Sequence, residues 1–191
     1  VQLAARAHAA RGGQARQHRM QAFAQSGGFA LDAELPSMLA GGSADQELVG
    51  RTIEFWKPLL ETKGFEITSS LSGPATLQAD ADAIEQILGN LISNVDKYAN
   101  VGKWIGIRTE HDERHTRVIV EDRGPGIPAG KRRAVFEPFE RLRSDLAEGV
   151  SGTDIGLTIS RELAQLHGGS LTVCPQYRDG ARFILTLPNQ P

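Results

Sequence analysis

The sequence has a single cysteine, two methionines, two tryptophans and two tyrosines in 191 residues. Cys174 therefore has no intrachain disulfide partner, and no cysteine or histidine stands near it at metal-ligand spacing. A strand thiol in a reducing, cytoplasmic compartment is the expectation. Long apolar runs are missing too: none approaches the ~20 residues that span a bilayer. With no signal peptide either, any membrane link is expected to come through segments absent from this chain. The sequence opens on Val1 and not Met, which suggests an excised piece of a larger protein. An excess of one charge is also lacking. Lys and Arg total 21 against 23 Asp and Glu, a net charge of −2, so no global field recruits nucleic acid. The basic positions Arg6, Arg11, Arg16 and Arg19 alternate with Gly and Gln, and a solvated face or loose tail accounts for them.

What is present suits one packed domain with attached sequence: 40% hydrophobic and 23% charged residues. Residues 1–44 have weak periodicity broken by Gly12-Gly13, Gly27-Gly28, Pro36 and Gly41-Gly42, and form a lead-in, a linker or the remnant of a dimerisation helix. The domain proper is assigned to 45–191. Leu48, Val49, Ile53, Trp56, Leu59 and Leu60 recur at helical spacing, and Lys63-Gly64 closes that helix. Strands are expected at 65–71 and 76–79 around a Gly73-Pro74 turn. Asp82 and Glu85 read as a capping box opening a helix to about Ala99. A hairpin pairs 104–109 with 116–121. After a Gly- and Pro-rich stretch from Arg123 to Thr153, a helix over 155–167 ends at Gly168-Gly169, and strands follow at 170–174 and 182–187. The expected fold is α+β, a two-layer sandwich with a mixed sheet packed on helices.

Three segments suggest chemistry. On the helix ending near Ala99, Asn90, Asn94 and Lys97 form a polar stripe beside the apolar face of Ile84, Ile87, Leu88, Leu91, Ile92 and Val95. Amides and an ammonium so stacked offer oxygen to a cation and donors to anions, although a solvated face has the same pattern. Asp122-Arg123-Gly124-Pro125-Gly126 follows a strand: an acceptor carboxylate beside glycines suits an exocyclic amine in a slot, or a plain turn. Gly149 to Leu157 is a glycine loop running into a helix, where free N–H groups suit phosphates. No Gly-Lys-Ser/Thr follows, so it is not a P-loop.

In this order the segments resemble the histidine-kinase branch of the ATPase superfamily that includes gyrase and heat-shock chaperones. Asn90-Leu91-Ile92-Ser93-Asn94-Val95-Asp96-Lys97-Tyr98 is similar to its asparagine box, and Asp122 to Gly126 to its first glycine box. Val135-Phe136-Glu137-Pro138-Phe139-Glu140-Arg141 is similar to its phenylalanine box, and Gly152 to Leu157 to its second glycine box. The ending, from His167-Gly168-Gly169 through Gly180-Ala181-Arg182-Phe183 to Pro188, is typical as well.

The resemblance implies an ATP-dependent protein-histidine kinase with Mg²⁺. Asn94 would be the metal ligand, Asn90 and Lys97 would lie near the phosphates, and Arg141 would reach the γ-phosphate. Tyr98, Gly124, Gly126, Ile127, Gly152, Thr153, Gly156 and Leu157 would line the nucleotide, whose adenine amino group Asp122 would accept. A flexible lid over 127–153 would be anchored by Phe136 and Phe139. Implied partners are a phosphoacceptor histidine domain and a response regulator, with the parent a homodimer. An amide at position 90, where hydrolytic relatives carry a glutamate base, points to transfer and away from hydrolysis.

Two departures define the alternative. Neither His8 nor His18 has the acceptor's flanking pattern, and Asp154 stands where the second glycine box has a glycine. Together they describe a degenerate nucleotide-binding or protein-interaction module. The phenylalanine box and Lys97-Tyr98 argue against a serine-directed anti-sigma relative.

Overall fold

The computed structural model describes residues 45–72, 79–138 and 155–189. Helix α1 spans Asp45–Thr62 and buries Val49, Ile53, Trp56 and Leu60 on one side. Leu59 matches that spacing in sequence but is exposed. The helix ends where Gly64 takes φ 81°. Its N–H reaches the Glu61 carbonyl at 2.9 Å and the Phe65 N–H reaches that of Leu60 at 2.9 Å, the paired bonds of a Schellman stop. Strand β1 is Glu66–Ser70. The expected Gly73-Pro74 turn and all but Ala79 of the expected 76–79 strand lie outside the described residues.

Helix α2 is Ala81–Tyr98, and its N-cap is Asp80, not Asp82. The Asp80 carboxylate accepts the Asp82 N–H at 2.9 Å, and the first i→i−4 bond runs from the Ile84 N–H to the Asp80 carbonyl. Asp82 thus falls inside the first turn, where a negative charge favours the positive end of the helix dipole. Strands β2 (Trp104–His111) and β3 (His115–Asp122) form the expected antiparallel hairpin. At its turn Asp112 accepts the N–H groups of Arg114 and His115 at 2.9 and 2.8 Å and pairs with Arg117. These bonds hold its carboxyl down at about 2.

Two single 3₁₀ turns, Ala129–Lys131 and Ala134–Phe136, follow. Helix α3 is Gly156–Leu166, and it too stops on a glycine: Gly168 has φ 70°, and Gly169 donates to the Ala164 carbonyl at 2.8 Å. Strands β4 (Ser170–Val173) and β5 (Arg182–Pro188) complete the fold.

The sheet order is β1-β2-β3-β5-β4. Only β1 and β2 run parallel, as α2 between them requires, and the remaining pairs are antiparallel. Alternate residues Ile105, Ile107, Val118, Val120, Phe183, Leu185 and Leu187 join the apolar stripes of α1, α2 and α3 in one core. This is the expected two-layer sandwich. The other sheet face is polar, with Glu121 paired to Arg108 and, at 3.1 Å, to Arg182.

Leu91 is fully buried at the centre of this core, so Leu91→Ala should lower stability by about 2–5 kcal/mol. Asp80→Ala, losing the cap alone, should cost about 1 kcal/mol. Urea midpoints with unchanged m-values check both.

Candidate functional site

Ten residues of α2 are buried, and its apolar stripe faces the core, so its polar edge has one fixed direction. Asn90 on that edge is only 3% exposed. Its Nδ2 donates to the Gly156 carbonyl at 3.0 Å and to Ser160 Oγ at 2.9 Å, joining the middle of α2 to the first turns of α3. A β-carbon on Gly156 would lie 2.9 Å from Asn90 Oδ1, so a side chain there would press on the Asn90 amide. One turn further along α2, Asn94 is half-buried. Its Nδ2 is shielded from solvent and has no hydrogen-bond partner among the described residues. Such a donor is costly to leave unpaired, and it identifies a place where an acceptor belongs. Lys97 and Tyr98, in the last turn, are half-buried as well.

The C-terminal end of α2 abuts the loop after β3. A β-carbon on Gly124 would stand 3.0 Å from the Tyr98 carbonyl oxygen and 3.0 Å from Asp122 Oδ1. Asp122 itself, at the end of β3, is 6% exposed. Its Oδ1 accepts the N–H groups of Gly124 at 2.8 Å and Ala181 at 3.0 Å, and Oδ2 takes neither bond. Tyr177 Oη donates to the Asp122 carbonyl at 3.1 Å. A β-carbon on Gly180 would overlap that same carbonyl, and one on Gly126, at φ 71°, would stand 2.9 Å from the Gly180 carbonyl oxygen. Burial pushes the Asp122 carboxyl up from its ordinary value, and the two N–H bonds only partly oppose it.

The remaining expected positions divide. Ile127 and Leu157 are half-buried against the core, and Phe136 is buried edge-to-face on Phe183 at 6.4 Å. Arg141, Gly152 and Thr153, like Phe139 and Asp154, lie outside the described residues, as does the lid beyond Pro138. Two segments read separately in the sequence thus meet α2: the second glycine box, through Gly156, at Asn90, and the first, through Gly124, at the Tyr98 carbonyl, with Asn94 between them. Sequence reasoning missed Ser160 and Tyr177 and gave Gly180 no role. A short polar residue inside a helix and a turn 55 residues from Asp122 give no local signal.

Comparison with known proteins accords with this arrangement. The family described as histidine kinase-, DNA gyrase B-, and HSP90-like ATPase matches residues 79–191. The chain belongs to this family. Among its relatives, sensor protein KdpD of Escherichia coli (strain K12) is 35% identical over 167 residues, covering 87% of this chain and 17% of KdpD. The chain therefore spans about a sixth of that relative. Of solved structures, the catalytic domain of histidine kinase ThkA superposes with a TM-score of 0.65 at 26% identity, covering 76% of this chain and 94% of that one. Full-length ShkA in complex with AMPPNP gives 0.69 at 25% identity, over 91% and 36% of the two chains. The mixed five-stranded sheet packed on helices is the fold of these histidine-kinase domains. No helix among the described residues is long and apolar enough to cross a membrane.

The buried Asp122 carboxyl makes the stability of this ATPase-family domain depend on pH in a definite sense. Its folded value lies above 3.8. The folded state is therefore favoured while the group is protonated, and that advantage is lost as pH rises from 3.8 through the raised value. Relative to Asp122→Asn, the parent should lose stability across that window and then level off. Urea midpoints of both proteins from about pH 3.5 to about pH 7 test this.

Proposed function

We propose that this domain binds MgATP along the edge of α2 and transfers the γ-phosphoryl group to a histidine outside the chain, for relay to a response regulator. The observation that carries the reading is that Gly156 of the second glycine box and Gly124 of the first both meet α2, with Asn94 Nδ2, unpaired among the described residues, between them. ShkA, of the same fold, binds AMPPNP, which supports a nucleotide in this position.

Asp122 is the adenine acceptor. Oδ1 is held by two backbone N–H groups, and Oδ2 is the oxygen to meet the exocyclic amine. Gly124, Gly126 and Ile127 form the wall of that slot, with Tyr98 beside it. At the other end, Asn94 would present its amide oxygen to Mg²⁺ and its nitrogen to a phosphate oxygen, which satisfies the donor that protein leaves unpaired. Among the described residues no cluster of three His, Cys, Asp or Glu could hold a metal. Mg²⁺ binds through one or two protein groups plus phosphates and water. When bound, the ion would neutralise charge that builds on the phosphate oxygens.

Lys97 and, from the lid, Arg141 would steady the same oxygens. Gly152, Thr153, Gly156 and Leu157 would bring backbone N–H groups to them. Asn90 supplies no base, so the site positions and stabilises charge, as phosphoryl transfer requires. The parent would be a homodimer with this domain in the cytoplasm, the phosphoacceptor histidine domain and response regulator its partners.

The test is to titrate MgATP against the chain, then to ask whether a dimerisation fragment carrying its histidine becomes labelled from γ-labelled ATP. Asn94→Ala should lower MgATP affinity at least about tenfold, the scale of one charge-assisted contact. Its thermal midpoint should hold within a few degrees, because the side chain is outside the core stripe. Unchanged affinity in a folded variant rules out the assignment. Asp122→Asn should weaken ATP more than GTP, and equal losses would make the carboxylate structural.

A further inference from the structure

Asn90 makes a polar contact between α2 and α3. Of its amide atoms only the nitrogen can face the Gly156 carbonyl, since a carbonyl accepts and never donates. The orientation is therefore determined by its neighbour. Both Nδ2 hydrogens are committed, one to Gly156 at 3.0 Å and one to Ser160 Oγ at 2.9 Å. The site is dry: Asn90 is 3% exposed and Ser160 is completely buried. The two acceptors sit one turn apart on α3, so a single amide grips the helix at two points and sets both its rotation and its axial position against α2. Oδ1 rests on the bare α-carbon of Gly156, where a side chain would begin 2.9 Å away.

We propose that Ser160 is a positioning residue: with the Gly156 carbonyl it locks the Asn90 amide, and that clasp holds the first turn of α3 where its free N–H groups meet the nucleotide phosphates. The proposal rests on the nucleotide reading above and assigns Asn90 a different task from phosphate contact. It also gives the amide at position 90 a positive reason. A carboxylate there would bring oxygen against the Gly156 carbonyl and offer no hydrogen to either partner, so the clasp and a general base exclude each other.

The test uses the 191-residue chain with Ser160→Ala, Asn90→Asp and the double variant. Three quantities are measured: affinity for MgATP, affinity for AMP without metal, and the side-chain amide resonances of Asn90, assigned by their loss in Asn90→Asp. Loss of one buried hydrogen bond corresponds to about two- to tenfold in binding. Ser160→Ala should therefore weaken MgATP by about that factor while leaving AMP, held at the Asp122 end, unchanged. The Asn90 amide resonances should shift and their hydrogens exchange faster. The double variant should bind MgATP no worse than Asn90→Asp alone, because both substitutions break one unit. MgATP and AMP falling together, additive losses, or unmoved Asn90 resonances would each overturn the proposal. Should the parent bind no adenine nucleotide, the functional reading fails by itself, and the Asn90 resonances still decide the clasp.

Discussion

Helix α2 is packed on three sides: against α1, against α3 and, through Ile84, Ile87, Leu88, Leu91, Ile92 and Val95, against the sheet. Turning it by one residue position, about 100°, would expose part of that stripe and drive the asparagine edge into the core. Each buried Leu or Ile side chain contributes roughly 1.5–3 kcal/mol of burial, so the helix has one acceptable rotation. Everything polar around it inherits that constraint. Lys63 of the α1 stop reaches Asp96 at 2.6 Å, Asn90 reaches α3, and the Tyr98 carbonyl touches the loop after β3. The site is assembled by hydrophobic packing, and its polar contacts then refine the alignment.

The two ends of the site are held by different physics. At the Asp122 end the anchors are backbone groups. Strand β3 runs beside β5 with Glu121 opposite Arg182, so Ala181, the residue just before β5, brings its N–H to the carboxylate. Burying a carboxylate is unfavourable, and two N–H donors on one oxygen offset that only in part, consistent with the upward direction of its titration. The cost is tolerated because glycines at 124 and 180 let two loops close over the group: a β-carbon on Gly180 would collide with the Asp122 carbonyl, and one on Gly124 would press on Asp122 and Tyr98.

Much of this was legible in the sequence. The 3.6-residue stripe of α2, the β2–β3 hairpin and the glycine stops of α1 and α3 come from local rules that act within one or two turns. What local rules do not reach is pairing between distant segments. Asp80 and Asp82 both qualify as caps by residue type, and only the path of the entering chain selects Asp80. Periodicity placed Asn90 on a polar edge, which reads as solvated or ligand-facing. Its burial follows from α3 covering that edge, and nothing near position 90 announces Ser160, 70 residues away. The functional segments behaved likewise. Each alone resembled an ordinary turn or helix face, and only their order in the chain, later matched by their meeting in space, distinguished them.

The contrast between the two ends has a consequence for how such a site responds to substitution. A strand-borne carboxylate bonded to backbone N–H groups depends on sheet register, which many ladder bonds and alternating core residues share. Changes at neighbouring side chains leave those donors in place. At the Asn90 end the polar tie is one amide whose two hydrogens are both spent, set between helices that also pack on the common core. A single altered atom on either partner removes part of that tie, while Leu157, Leu163 and Ala164 keep α3 on the core. Under the proposed reading, base recognition is therefore the more robust property and phosphate alignment the more sensitive one. The helix proposed to meet the triphosphate packs on β4 and β5, and the Asn90 clasp then sets its alignment against α2.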